Sequence, residues 1–220
     1  MLKQILSDDR STGLFITLEG IEGVGKSSNL AFLVSHLQRS GLQVVQTREP
    51  GGTEIAERIR ALLLDSANAG MQPLTEALLM FASRHEHVSS VIQPALARGN
   101  CVVSDRFVDA SFAYQGGGRE LGSETIDVLA RLVLGDLQPD LVLLLDLEPV
   151  AALARLASRN GRDRIEQEKI EFFEAARQAY LARAQAEPDR FAIIDASVPV
   201  AAVQAQIEQA LSQFLVPATP

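Results

Sequence analysis

The sequence is poor in the residues that mark disulfide-linked, zinc-binding and membrane-spanning proteins. Its 220 residues include one cysteine, Cys101, and three histidines, so neither an intrachain disulfide nor a cluster of zinc ligands is expected. No apolar run approaches the roughly 18 residues that a membrane span requires. Residues 1–12 are polar and mixed in charge, which is unlike a signal peptide. Together these features predict a cytoplasmic protein with no membrane segment.

Basic residues are outnumbered, and lysine is scarce among them. The 20 basic residues are set against 28 acidic ones, for a net charge of −8. This charge argues against sequence-independent binding to nucleic acid or to an anionic membrane, which requires a basic surface. Seventeen of the 20 are arginines, whose planar guanidinium binds phosphate in bidentate geometry. The excess is compatible with small phosphorylated ligands, although a genome that favours arginine codons also accounts for most of it.

Strand-like and helix-like segments alternate along the chain. Short, nearly continuous apolar runs predict five strands buried on both faces, over residues 14–19, 42–47, 101–104, 141–145 and 191–194. Helical spacing predicts helices over residues 28–40, 54–65, 74–97, 124–134, 149–158, 168–186 and 200–215. Such alternation is typical of parallel strands joined by right-handed crossovers. We therefore predict a doubly wound α/β fold, with a five-stranded parallel sheet flanked by helices. Residues 13–216 should form this single domain, and residues 1–12 a flexible extension.

A charged residue follows each of the five predicted strands. The residues in question are Glu19, Arg48, Glu49, Asp105, Arg106, Asp146 and Asp195. Ligands of open α/β sheets bind outside the carboxyl ends of the strands. These side chains are therefore expected to line one crevice.

One motif between the first strand and the first helix indicates ATP binding. Residues 20–27 match G-x-x-x-x-G-K-[ST], and the strand and helix on either side supply the context that this motif requires. Its backbone amides should surround the ATP phosphates, with Lys26 on the β- and γ-phosphates and Ser27 as a ligand of Mg²⁺. Asp105 is placed like a carboxylate that holds Mg²⁺ through water. The predicted phosphate loop consists of Gly20, Ile21, Glu22, Gly23, Val24, Gly25, Lys26 and Ser27.

The remaining motifs favour a kinase over other nucleotide-binding proteins. The chain has no N-K-x-D guanine motif and no D-x-x-G switch, and it is too short for the accessory domains of motor ATPases. Its motifs are Glu22 within the loop and the runs at residues 47–53, 105–107, 114–119 and 163–168. In this order and context they resemble bacterial thymidylate kinases over residues 14–215. The resemblance implies transfer of the terminal phosphoryl group of ATP to thymidine monophosphate (dTMP), with Mg²⁺, in deoxynucleotide biosynthesis.

The resemblance also implies a role for each residue of the acceptor site. Arg48 and Arg106, at neighbouring strand ends, should clamp the acceptor phosphate in bidentate geometry. Glu22 should accept a hydrogen bond from the sugar 3′-hydroxyl, and Arg84 should donate one to a thymine carbonyl. The other positions that match the family are Phe81, which stacks on the base, Ser111 and Gln115, which bind its polar edge, and Tyr114, which crowds the sugar 2′ carbon. Whether Phe81 or its neighbour Met80 contacts the base stays open, since the family places phenylalanine where this chain has Met80.

A short lid over residues 155–168 completes the resemblance. Some family members carry an arginine directly after the acidic residue of the loop, where this chain has Gly23. We expect Arg159 to supply that charge to the transferring phosphate, as a catalytic and ATP-binding residue, with Arg164 as a weaker candidate. Ala196 should pack near adenine. The resemblance further implies a homodimer.

Two alternatives to dTMP phosphorylation remain open from the sequence. One is a kinase for another small acceptor, such as a different deoxynucleotide or a sugar acid. The other is a nucleotide-dependent switch without catalysis, which would bind ATP but release no ADP in response to an acceptor. Arg48 and Arg106 favour a kinase, because a switch has no need of a second phosphate site.

Overall fold

The fold is described from a computed structural model, which defines residues 13–156 and 163–215. Five parallel strands form its single described sheet, in the order β2-β3-β1-β4-β5. The strands are β1 (Phe15–Glu19), β2 (Val44–Arg48), β3 (Cys101–Asp105), β4 (Leu141–Asp146) and β5 (Phe191–Asp195). The predicted α/β architecture and all five strands are therefore confirmed, and their carboxyl ends lie along one edge of the sheet. The expected N-terminal extension, residues 1–12, lies outside the described residues.

Helices connect successive strands, and a last helix follows β5. They are α1 (Lys26–Arg39), α2 (Glu54–Leu64), α3 (Pro73–His87), α4 (Gln93–Ala97), α5 (Val108–Ser111), α6 (Ser123–Leu134), α7 (Pro149–Leu156), α8 (Ile170–Ala186) and α9 (Val200–Leu215). A short 3₁₀ turn (Ser66–Asn68) follows α2. No helix in the described parts of the chain is long and apolar enough to cross a membrane.

The strands differ in burial, which corrects the expectation that all five are covered on both faces. All of β1 is buried, as are β3 and β4 except for their last residues, whereas β2 and β5 contain exposed positions. The difference follows from the strand order, since β2 and β5 are the sheet edges. Alternate residues of β1 point to opposite faces. Phe15 belongs to the apolar cluster with Phe81 and Phe107, and Ile16 to the larger cluster with Leu33 and Phe173.

Two helical segments depart from the predicted pattern. The helix expected over residues 74–97 is interrupted by a π-helical turn (Val88–Ile92) directly before α4, which contains Pro94. Proline has no amide hydrogen and cannot continue the regular helical bonding, so the wider turn coincides with this break. A second π-helical stretch (Phe112–Gly118) continues α5 and was not predicted. It passes so close to α8 that a Cβ on Gly118 would lie 2.5 Å from the ring of Phe172.

Candidate active site

The phosphate loop lies where the sequence places it, between β1 and α1. Gly23 has φ +79, and a Cβ there would lie 2.1 Å from the carbonyl oxygen of Ala152, so this position requires glycine. The Lys26 ammonium donates to the carbonyl oxygens of Gly20 and Ile21, at 2.9 Å each. Burial, with help from the nearby Arg106 guanidinium, lowers the pKa of Lys26 to about 8. The ammonium is thus held in the loop, and a phosphate has only to displace carbonyl oxygens to bind it.

Three cavities adjoin the loop, and many of the predicted site residues line one of them. The inner cavity, about 100 Å³, is lined by Glu22, Arg60, Met80, Arg106, Tyr114 and Gln115 with other residues. The edge cavity, about 640 Å³ beside β2, is lined by Ser27, Arg48, Glu57 and Asp105 among others. The loop cavity, about 520 Å³ beside β5, includes Gly23, Gly25, Arg155 and Ala196.

Glu22 and Arg106 form an ion pair in the inner cavity. The Arg106 Nη2 atom donates to Glu22 Oε1 at 2.6 Å, and the Tyr114 hydroxyl donates to Glu22 Oε2 at 2.6 Å. The Arg106 guanidinium also lies 4.7 Å from the centre of the Tyr114 ring. Arg106 has φ +70, a region that non-glycine residues enter rarely and at some cost. The surrounding fold therefore holds this residue with its guanidinium directed to the cavity.

The two arginines expected to clamp one phosphate lie in different cavities. Arg48 borders the edge cavity and pairs with Glu57 at 3.0 Å, with about half of its side chain exposed. Arg60, which sequence reasoning missed, borders the inner cavity beside Arg106 and donates to the Pro50 carbonyl oxygen at 2.8 Å. Burial lowers the pKa of Arg60, with a further contribution from Arg48. Its signal in the sequence is its spacing, four residues after the buried Ala56 on the same face of α2.

The residues expected to bind a base occupy two layers. Met80, Tyr114 and Gln115 border the inner cavity. Behind them Phe81 is buried in the core, and its ring centre lies 4.7 Å from the Cζ atom of the Arg84 guanidinium. Arg84 is itself buried, and it donates to Glu49, to Ser111 and to the carbonyl oxygen of Phe107. Of the two neighbours left open by the sequence, Met80 is the one at the cavity.

The chain offers ligands that fit a hydrated Mg²⁺ ion. Ser27 and Asp105 border the same edge cavity, and Asp105 Oδ1 is buried without a hydrogen-bond partner among the described residues. The described ranges contain no group of three or more acidic, histidine or cysteine side chains that could hold a metal. This donor set suits Mg²⁺, which keeps several waters and binds through one or two protein oxygens together with phosphates.

The described part of the lid region is held by buried ion pairs. Arg164 is buried and donates to the Leu63 carbonyl oxygen at 2.7 Å and to Glu76 at 2.6 Å. It therefore packs against α2 and α3 and borders the inner cavity. Arg155 donates to the Ala196 carbonyl oxygen in the loop cavity. Arg159, the residue expected to supply the lid charge, lies outside the described residues.

Glu19, one of the strand-end residues expected to line the crevice, is instead fully buried directly before the phosphate loop. Glu19 accepts hydrogen bonds from the Phe107 amide and the Tyr180 hydroxyl, at 2.7 Å each. Burial, aided by the negative charge of Asp109, raises the pKa of Glu19 from 4.5 to about 8. Arg106 also donates to the Tyr180 hydroxyl at 3.2 Å. Tyr180 thus connects this acid to the arginine of the inner cavity.

The raised pKa of Glu19 predicts a pH-dependent contribution to stability. Because the folded chain holds this proton more tightly than the unfolded chain, the contribution is complete below pH 4.5 and is lost as pH rises towards 8. Glu19→Gln removes the titration, so the free energy of unfolding should fall less steeply with pH than in the unchanged protein. The difference between pH 5 and 8 should reach a few kcal/mol, at about 1.4 kcal/mol per pKa unit. Urea unfolding across this range measures it, and parallel pH profiles would contradict the assignment.

Comparison with known proteins gives one consistent result. A family model described as thymidylate kinase matches residues 18–207. The chain is 53% identical to the thymidylate kinase of Pseudomonas savastanoi pv. phaseolicola and 54% identical to that of Pseudomonas putida. Each of these alignments spans 204 residues, 93% of this chain and 97% of the relative. The crystal structure of thymidylate kinase from Ehrlichia chaffeensis superposes with a TM-score of 0.74 at 31% identity, and covers 91% of this chain and 98% of that one.

Proposed function

The chain belongs to the thymidylate kinase family, and we propose that its inner cavity binds the acceptor nucleotide while its loop cavity binds the donor. It transfers the terminal phosphoryl group of ATP to dTMP and forms thymidine diphosphate, a step of deoxynucleotide biosynthesis. One observation carries the assignment of the cavities. The phosphate loop itself contributes Glu22 to the inner cavity, so an acceptor bound there lies beside the phosphate that is transferred.

Arg60 and Arg106 are the pair of arginines best placed for the acceptor phosphate. Both border the inner cavity, whereas Arg48 is engaged by Glu57 in the edge cavity. The inner cavity, about 100 Å³, is smaller than the roughly 300 Å³ at which ligand pockets begin. Acceptor binding must therefore open it, and exchange of Glu22 for phosphate at Arg106 is the simplest opening. Glu22 would then be free to accept a hydrogen bond from the sugar 3′-hydroxyl.

The base would lie between Met80 and the polar edge of Gln115. Both border the inner cavity, and Gln115 Oε1 is buried without a partner among the described residues. Tyr114 would crowd the sugar 2′ carbon and disfavour ribonucleotides. Arg84 and Ser111 are hydrogen-bonded to each other behind the cavity, and we propose that each also hydrogen-bonds to the base. The Phe81 ring would pack against the Arg84 guanidinium and hold it in place.

The transfer step needs positioning and charge more than proton removal. A monophosphate oxygen is already a nucleophile, so no strong general base is required. Lys26 would leave the loop carbonyl oxygens for the β- and γ-phosphates of ATP. Mg²⁺, held by Ser27 and through water by Asp105, would supply further positive charge to the phosphates. Arg159 is proposed to add charge from the lid.

A homodimer is proposed from the apolar residues that two adjacent helices expose. Leu74 and Leu78 on α3 and Val128 and Leu132 on α6 each expose about half or more of their area, and the two helices are in contact. A second copy that packs its own α3 and α6 here would bury all four. Sedimentation equilibrium at micromolar concentration measures the mass directly, and we expect the mass of two chains.

The proposed function is tested by ADP release from ATP and Mg²⁺ with a panel of acceptors. Release should depend on dTMP and should be slow without an acceptor. Deoxyuridine monophosphate lacks one methyl group, a loss of roughly 1–3 kcal/mol, and should be a poor but measurable substrate. Deoxycytidine monophosphate (dCMP) should be far worse. Equal turnover of all three would contradict the base site, and nucleotide binding without acceptor-dependent release would indicate a switch.

A further inference from the structure

A buried carboxylate forms part of the wall of the inner cavity and has no role in the transfer described above. Glu76, in the first turn of α3, has 1% of its side chain exposed and borders the cavity. Its Oε2 atom accepts from Arg164 at 2.6 Å and from Arg119 at 3.1 Å, and its Oε1 atom accepts from Gln115 Nε2 at 2.8 Å. Both oxygens of this acid are therefore committed to donors.

These contacts determine which end of the Gln115 amide is available to a ligand. An ionised carboxylate can only accept hydrogen bonds, so it selects the NH₂ end of the neighbouring amide. The other oxygen of Glu76 is occupied by the guanidinium groups of Arg164 and Arg119, which can only donate. The Gln115 amide is thereby prevented from flipping, and its Oε1 atom is left buried without a partner among the described residues. An unsatisfied oxygen at a cavity wall is a preformed acceptor for a ligand N–H group.

We infer that Glu76 is a positioning residue for base specificity, which acts by fixing the Gln115 amide with its oxygen available to the base. This inference rests on the proposed function, because it takes the inner cavity as the acceptor site. The ring nitrogen N3 of thymine or uracil carries a hydrogen and matches a fixed oxygen. The corresponding nitrogen of cytosine is an acceptor, so cytosine would leave two lone pairs facing each other. Glu76 then determines selection against cytosine without touching the base, because it acts through Gln115.

Glu76→Gln tests the inference because it reverses the hydrogen-bonding sequence. The new amide oxygen should turn to Arg119 and Arg164, which can only donate. Its NH₂ group then faces residue 115, and the Gln115 amide should flip to present its own NH₂ group to the base. The ratio of kcat/KM for dTMP to that for dCMP should fall at least tenfold, and by as much as about 100-fold, since mismatched buried polar groups produce large discrimination. A change of less than tenfold overturns the inference.

Controls separate this effect from simple damage. Arg119→Lys disturbs the same cluster but keeps the carboxylate, so it should lower both rates and leave their ratio unchanged. Glu76→Asp should likewise retain the preference for dTMP. If Glu76→Gln does not fold, as judged by thermal unfolding, Glu76→Gln with Arg164→Gln removes both buried charges and carries the same test. If the unchanged protein shows no preference for dTMP over dCMP, it is the proposed base site that fails.

Discussion

Lys26→Ala should lower kcat for dTMP phosphorylation by about 10²–10³-fold, the scale for loss of one preorganised charge donor at the transition state. The Lys26 ammonium is partly buried and, among the described residues, donates to two loop carbonyl oxygens, so its positive charge is available to the phosphate that is transferred. The fold should survive, because the substitution removes two hydrogen bonds within one loop. Steady-state kinetics beside thermal unfolding measures both effects.

A matched control for this substitution is available in the same chain. Lys169 is exposed and directly precedes α8, so Lys169→Ala changes the net charge equally and should leave kcat unchanged. Retention of more than about a tenth of the activity by Lys26→Ala would contradict the role given to the loop lysine.

Arg106→Ala should lower kcat/KM for dTMP by about 10²–10³-fold, and Arg60→Ala by a similar factor that appears mainly in KM. Each arginine would form a buried charge pair with the acceptor phosphate. Truncation of one member of such a pair costs about 2–5 kcal/mol, because the phosphate stays behind without compensation. Arg106→Ala also removes the guanidinium that pairs with Glu22 before the acceptor binds. Kinetics with dTMP as the varied substrate and ATP saturating measures both variants.

Arg48→Ala distinguishes the structural assignment from the one made on the sequence. Its pair with Glu57 is exposed, and such pairs contribute at most about 1 kcal/mol. We expect less than a tenfold effect on kcat/KM, comparable to that of Arg58→Ala on the exposed side of α2. If Arg48→Ala matches Arg106→Ala and Arg60→Ala has little effect, the acceptor phosphate binds where the sequence assignment put it.

The sequence predicted the fold well because parallel strands and the phosphate loop are local patterns. Each strand is one apolar run, and residues 20–27 specify their own backbone geometry. The partial exposure of β2 and β5 was harder to predict, because an edge strand differs from a central strand in its neighbours and not in its own sequence pattern. The π-helical stretch that carries Tyr114 and Gln115 was missed since its glycines oppose helix formation, and packing on α8 decides its shape.

The acceptor site could be predicted only in part, because side-chain direction depends on tertiary contacts. Arg48 and Arg106 do end neighbouring strands, as the register of Arg48 with Asp105 shows. Their guanidinium groups nevertheless line separate cavities, because Glu57 and Glu22 hold them apart. Glu76, Met80 and Arg84 follow at four-residue spacing on α3. Charged and apolar residues together on one buried helix face are a pattern that indicates the lining of a binding cavity.

The hydrogen bonds of the two tyrosines should make the intrinsic tyrosine fluorescence of the protein sensitive to ligand binding. The chain contains no tryptophan, and Tyr114 and Tyr180 are its two tyrosines. The Tyr114 hydroxyl donates to Glu22 and the Tyr180 hydroxyl donates to Glu19. Arg106 lies over the Tyr114 ring and donates to the Tyr180 hydroxyl. The tyrosine fluorescence of this protein therefore originates at Tyr114, which borders the inner cavity, and at Tyr180, which Arg106 connects to it. A ligand that draws Arg106 away from Glu22 alters the surroundings of both emitters, and its binding can be followed without any label.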